Sequence, residues 1–204
     1  MKRLRQFART GADEELDLDD TIRSTARNAG FLDLKLIPER HNAVKVLIFF
    51  DVGGSMYPYV RICEELFSAT RSEFKYLQYF YFHNFLYDFV WEDNRRRNSE
   101  STPTWDIIHK FPADYKIVFV GDAAMAPYEI ASPGGNIEYI NDEPGETWMR
   151  RMTSTYPKLI WLNPTPQDYW NYTHSIDMVR ELIDDRMFPL TLNGLDQGMR
   201  YLSS

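Results

Sequence analysis

From Val44 to Phe50 the chain reads VKVLIFF, apolar except for Lys45 and rich in β-branched and aromatic residues. A run of that length and makeup predicts a buried strand. It stops abruptly at Asp51, and Gly53, Gly54 and Ser55 follow before Pro58 opens a helical pattern. Proline suits the first turn of a helix, where its missing N–H would be unpaired anyway. Strand, tight polar loop and helix, in that order, constrain the fold more than any other stretch. In an open α/β sheet such a loop lies at the carboxyl end of its strand, where ligand sites form. Asp51 and Ser55, four residues apart, can reach one hard cation from a loop of this kind.

The rest of the chain repeats the alternation. Residues 1 to about 16 are polar and unpatterned and read as a mobile arm. Thr21 to Asn28 reads as a helix, with Asp17, Asp19 and Asp20 before it and Gly30 as its C-cap. Phe31 to Ile37 alternates as a short strand packed on the main domain, and Pro38 to Asn42 is a linker. The organisation expected is an N-terminal arm and appendage over 1–42 and an α/β domain over 43–204. Within that domain, Tyr57 to Phe74 is helical in spacing, with Val60, Cys63, Leu66 and Phe67 apolar. Tyr76 to His83 and Leu86 to Trp91 are strands whose connection is so short that they must pair antiparallel. Glu92 to Thr104 reads as a polar loop and Trp105 to Phe111 as a short helix. Tyr115 to Val120 is a second buried strand, again closing in a polar turn, Gly121-Asp122. Ala123 to Gly145 reads as loop. Glu146 to Tyr156 is a helix, Lys158 to Leu162 a third buried strand and Asn163 to Tyr172 a loop. Ser175 to Arg186 is an amphipathic helix, Phe188 to Leu192 a last strand and Asn193 to Leu202 a closing helix. The fold class is therefore α/β: a doubly wound, mostly parallel, six-stranded sheet with one antiparallel edge strand and helices on both faces.

Net charge is −7 over 204 residues, which argues against broad binding of nucleic acid. The single cysteine, Cys63, has no intrachain partner for a disulfide. No apolar run is long enough to span a bilayer, and the N-terminus lacks the apolar core of a signal peptide. A cytoplasmic protein without membrane insertion is expected. His83 and His109 read as structural or solvated, since neither has a partner at metal-ligand spacing. Arg95, Arg96 and Arg97 read as a solvated loop. Met125, Pro127 and Tyr128 read either as an apolar rim for a partner or as packed loop.

The chemistry concentrates in the loops. Two buried strands end in aspartate, Asp51 and Asp122, and if those strands are neighbours both carboxylates enter one crevice. Ser55 shares the first loop, and Thr102 and Thr104 lie in a loop that can converge on the same edge. Carboxylates and hydroxyls without His or Cys suit an ion that takes oxygen ligands: magnesium first, with manganese or calcium open.

These residues carry a resemblance. Asp51-Val52-Gly53-Gly54-Ser55-Met56 is similar to the metal-ion-dependent adhesion site (MIDAS) loop of von Willebrand factor A domains, Asp-x-Ser-x-Ser. Ile117 to Asp122 resembles the later strand of that family, which ends in a metal-associated Asp. The resemblance spans about residues 43–204 and is greatest to the bacterial CoxE-like group, which occurs with AAA+ ATPases of the MoxR type. LDLDDTIRSTARNAG is similar to a segment those proteins carry. It implies a metal set of Asp51, Ser55 and Asp122 with a middle threonine, Thr104 first and Thr102 second. The departure is Gly53, which has no hydroxyl where the family has a serine. The resemblance implies binding of a partner's Asp or Glu through the cation rather than catalysis, the partner being a MoxR-type ATPase or its client. A Mg²⁺-dependent phosphohydrolase and a metal-free scaffold with a vestigial site are the two rivals.

Overall fold

The computed structural model describes residues 7–8, 14–16, 18–27, 34–38, 41–59, 74–95 and 98–204. The strands are β1 (Phe7–Ala8), β2 (Glu14–Leu16), β3 (Leu36–Pro38), β4 (His41–Asp51), β5 (Phe74–Phe82), β6 (Phe89–Trp91), β7 (Ser101–Pro103), β8 (Lys116–Val120), β9 (Leu159–Asn163) and β10 (Met187–Pro189). The helices are α1 (Leu18–Arg27), α2 (Thr104–Lys110), α3 (Pro127–Ala131), α4 (Gly145–Thr155), α5 (His174–Leu182) and α6 (Leu192–Ser203). The main sheet runs in the order β10-β9-β8-β4-β5-β6-β7, and β1 pairs antiparallel with the start of β4. β4, β5, β8, β9 and β10 are parallel, and β6 turns the edge antiparallel.

The predicted buried strand, β4, is the centre of this order. Val44, Val46, Ile48 and Phe50 of β4 join Val118, Val120, Ile160 and Leu162 on one face, covered by Met199 and Leu202 of α6. Leu47 and Phe49 face the other way, against Trp148, Met149 and Met152 of α4 and Ile176, Val179 and Leu182 of α5. Alternation along each strand therefore fills two cores, one per face, as expected when helices cover both sides. The second face is an aromatic layer. Phe80, Phe49, Phe119 and Trp161 come from four adjacent strands and stack at centroid distances of 5.6, 4.8 and 5.3 Å. Offset stacking of this kind adds about 0.5–1.5 kcal/mol per pair beyond burial. It fixes the relative height of β5, β4, β8 and β9, and so the height at which their carboxyl ends emerge.

The structure corrects the sequence reading in several places. The path of the main sheet has seven strands rather than six, because Ser101–Pro103, read as loop, pairs with β6. The antiparallel edge thus contains a second strand, and β7 runs in the same direction as β5. The hairpin between β5 and β6 is longer than two residues, spanning 83–88 with a bridge between His83 and Phe85. A short helix, α3, interrupts the Pro- and Gly-rich segment expected to be loop. At the N-terminus, the strand expected over Phe31 to Ile37 is described as β3, which pairs with β2 in a separate two-stranded sheet, and β1 ties the arm to β4. The expected apolar positions Val60, Cys63, Leu66 and Phe67, together with Arg96 and Arg97, lie outside the described residues. Among the described residues, no helix is long and apolar enough to cross a membrane.

Candidate functional site

β4 and β8 are hydrogen-bonded parallel neighbours, with Phe50 opposite Val120. Asp51 closes the first and Asp122 follows the second by two residues, so both residues lie at the carboxyl edge of the sheet, at the ends of neighbouring strands. Asp51 is 1% and Asp122 6% exposed. Burial of that degree is costly for a carboxylate unless polar groups meet it. At Asp51, Oδ1 accepts the backbone N–H of Gly53 at 2.8 Å and of Asn84 at 2.9 Å. At Asp122, Oδ1 accepts the N–H of Ala124 at 3.0 Å. Each of these donors is a neutral amide.

Gly121, between the two strand ends, has a specific reason to lack a side chain. A Cβ there would lie 2.8 Å from Asp51 Cβ and 3.1 Å from Asp51 Oδ2. The carboxylate of Asp51 is therefore laid against the backbone of the neighbouring strand. Trp161 holds that backbone in place, its Nε1 donating to the carbonyl of Gly121 at 2.7 Å. Asn163 Nδ2 donates to the carbonyl of Asp122 at 2.8 Å, and Ser175 Oγ to that of Ala123 at 2.8 Å. Ala123 has a φ of 55°, a left-handed conformation that carries strain for alanine and is held by these partners.

The remaining expected residues divide. Ser55 is exposed in a 3₁₀ turn over Gly54–Met56, closed by the N–H of Met56 donating to the carbonyl of Gly53. Thr104 is fully buried at the start of α2, and its Oγ1 donates to the carbonyl of Tyr87 at 2.5 Å. Because β7 runs parallel to β5, the end of β7 delivers Thr104 to the same edge as Asp51 and Asp122. Thr102 sits mid-strand in β7 opposite Val90. His109 points back along its own helix, with Nδ1 2.8 Å from the carbonyl oxygen of Trp105. Among the described residues, no group of three or more His, Cys, Asp or Glu side chains has the spacing to hold a metal ion. The candidate set depends instead on two carboxylates supplemented by hydroxyl oxygens.

Three residues of the crevice escaped the sequence reading. Asn84, at φ 58°, follows β5 and donates its side-chain Nδ2 to Glu129 Oε2 at 2.8 Å. Glu129, 6% exposed on α3, also accepts the N–H of Ala126 through Oε1. Tyr87 donates its hydroxyl to the carbonyl of Glu129 at 2.9 Å. Burial, with the negative charge of Glu129 added, pushes that hydroxyl far above the ordinary tyrosine range, so it stays a proton donor. An Asn directly after a strand is an ordinary turn former, and a Glu inside a Pro- and Gly-rich segment carries no pattern. Only the fold brings them together.

Exposed tyrosines lie on the segments that follow β4, β8 and β9. Tyr57 follows the first loop, Tyr128 lies on α3, and Tyr169 and Tyr172 come from the 3₁₀ segment after β9; all four are exposed, at 84%, 55%, 61% and 85%. Met125 is half-buried against the core, so the expected apolar rim splits: Tyr128 faces outward and Met125 packs inward.

Comparison with protein-family profiles, characterised proteins and solved structures returns no match for this chain.

Proposed function

We propose that the crevice at the carboxyl edge of the sheet is a divalent-cation site of the von Willebrand factor A type, and that the domain binds a partner protein by accepting a partner carboxylate at the cation. The observation that carries this reading is the pair Asp51 and Asp122. They are buried at the carboxyl ends of adjacent parallel strands, and neutral N–H groups orient them. Among the described residues no Lys or Arg forms an ion pair with Asp122 or Glu129. Asp122 and Glu129, buried at a ligand-forming edge without a Lys or Arg partner among the described residues, favour an exogenous cation.

The donor chemistry fits. Asp51, Ser55, Thr104 and Asp122 offer oxygen only, the preference of Mg²⁺, with Mn²⁺ and Ca²⁺ accepted by the same donors. Thr104 donates its hydroxyl hydrogen bond to the backbone carbonyl of Tyr87, which leaves lone pairs of Oγ1 for a cation. When bound, the cation supplies a directional attraction for a carboxylate that a domain of net charge −7 otherwise repels. The exposed tyrosines on the segments after β4, β8 and β9 suit a protein partner, since aromatic residues are enriched at such interfaces. By the resemblance to CoxE-like proteins, the partner is a MoxR-type AAA+ ATPase or its client, and the process is assembly or maturation of another protein.

Calorimetric titration of Mg²⁺ and Mn²⁺ into the wild type and Asp51→Ala tests the reading. Saturable binding lost in the variant, with an unchanged far-UV spectrum, is expected. Equal affinity in the two proteins would overturn it.

A further inference from the structure

We infer that Asn84 supplies, through its amide oxygen, the oxygen donor that Gly53 lacks, and that Gly53 and Asn84 are a matched pair. This rests on the reading of the crevice as a cation site. A Cβ built on Gly53 would lie 2.3 Å from Asn84 Oδ1 and 3.1 Å from Asp51 Oδ1. No side chain at position 53 can coexist with Asn84 as it stands. The space between Asp51 and Ser55 that a residue-53 side chain would enter is filled by an oxygen from another loop.

The orientation of that amide follows from its surroundings. Nδ2 donates to Glu129 Oε2, and a carboxylate oxygen accepts, so the NH₂ end must face Glu129. Oδ1 is thereby turned towards Gly53 and the carboxylate of Asp51. The backbone is fixed as well, because the N–H of Asn84 donates to Asp51 Oδ1. Its φ of 58° is one that Asn tolerates better than most residues. Glu129 is held in turn by the N–H of Ala126, on the loop that follows Asp122. The amide oxygen is thus braced from both carboxylate-bearing loops. An amide carbonyl is a hard neutral donor of the class that Mg²⁺ and Ca²⁺ accept alongside carboxylates. On this account the glycine is the vacancy that lets Asn84 in, and not a lost ligand.

The test uses the full chain, Mn²⁺ as the probe, and three variants: Asn84→Gly, Gly53→Ser and Gly53→Ser/Asn84→Gly. Glycine at 84 keeps the left-handed φ and the N–H to Asp51 and removes only the side chain. Asn84→Gly is expected to weaken Mn²⁺ at least about tenfold by calorimetry. Gly53→Ser alone is expected to lower the metal-free melting temperature, because its Cβ and Asn84 Oδ1 collide. The double variant is expected to melt above Gly53→Ser and to regain most of the Mn²⁺ affinity that Asn84→Gly loses, because a serine hydroxyl then takes the place of the amide oxygen. A purely structural role for Asn84 predicts no such regain. Wild-type binding that persists unchanged in Asn84→Gly would overturn the assignment and leave the cation reading standing. A wild type that binds no Mn²⁺ would overturn both.

Discussion

Two carboxylate networks at the same end of the molecule solve the same problem differently. In one, Glu143 forms a bidentate pair with Arg151 at 2.5 and 2.7 Å. The guanidinium is also held between Trp105 and Trp148, 4.8 and 4.5 Å from their ring centroids. Trp148 passes the connection on, donating Nε1 to Asp88 Oδ1 at 2.7 Å. In the other, Asp122 and Glu129 are more deeply buried, yet the donors that meet them are backbone amides and the side chain of Asn84. Where the chain needs only to pin α4 to its neighbours, it encodes the cation as Arg151. Where Asp122 and Glu129 come to the sheet edge, it encodes neutral donors that orient them, and on the proposed reading a bound cation is the counter-charge.

The largest test of that contrast is metal-linked stability. A cation present at 100 times its dissociation constant should stabilise the native state by about 2.7 kcal/mol. The rise in melting temperature with Mg²⁺ or Mn²⁺ should appear in the wild type and in Arg151→Ala, and vanish in Asp122→Ala. A rise that survives Asp122→Ala would remove the distinction between the networks. Next in size is Thr104→Val, which keeps shape and deletes the hydrogen bond to Tyr87. It should cost about 1–2 kcal/mol in metal-free denaturant unfolding, and Thr104→Ser should recover most of it. Arg151→Ala should cost about 1–2 kcal/mol, the summed scale of a partly exposed ion pair and its cation–π contacts, with Mn²⁺ affinity unchanged by calorimetry. The smallest effect is one of pH. Burial, outweighing the hydrogen bonds from Asp142 and Trp148, raises the carboxyl of Asp88 above its ordinary value. The folded protein therefore holds that proton more tightly than the unfolded chain. Its contribution to stability is present below the unfolded value and is lost as pH rises through the folded one. Asp88→Asn should flatten that part of the stability–pH curve, measured by urea unfolding across the acid range.

How much of this was legible depends on how local each signal is. β4, β8 and β9 announce themselves as apolar runs because both of their faces are buried. The adjacency of Asp51 and Asp122 follows from the order of elements once a parallel sheet is accepted. β7 was not legible: Ser-Thr-Pro has no strand character and pairs only because β6 presents a free edge. α3 was hidden by the Pro and Gly residues around it, although Pro127 at its start is a helix opener. At the site, Gly53 reads from sequence as a missing ligand. Its meaning changes once Asn84, thirty-one residues later in the chain, is found in its space. Steric exclusion between distant residues leaves no trace in periodicity or composition.

The two N–H groups that converge on Asp51 Oδ1 have a spectroscopic consequence. Gly53 and Asn84 are far apart in sequence but share one acceptor atom. Their amide proton resonances should shift together whenever the charge on that oxygen changes, whether by protonation or by a cation drawing on the carboxylate. Glycine amides resonate in a sparse region of a nitrogen–proton correlation spectrum, so Gly53 offers a clear view of an atom that solvent barely touches.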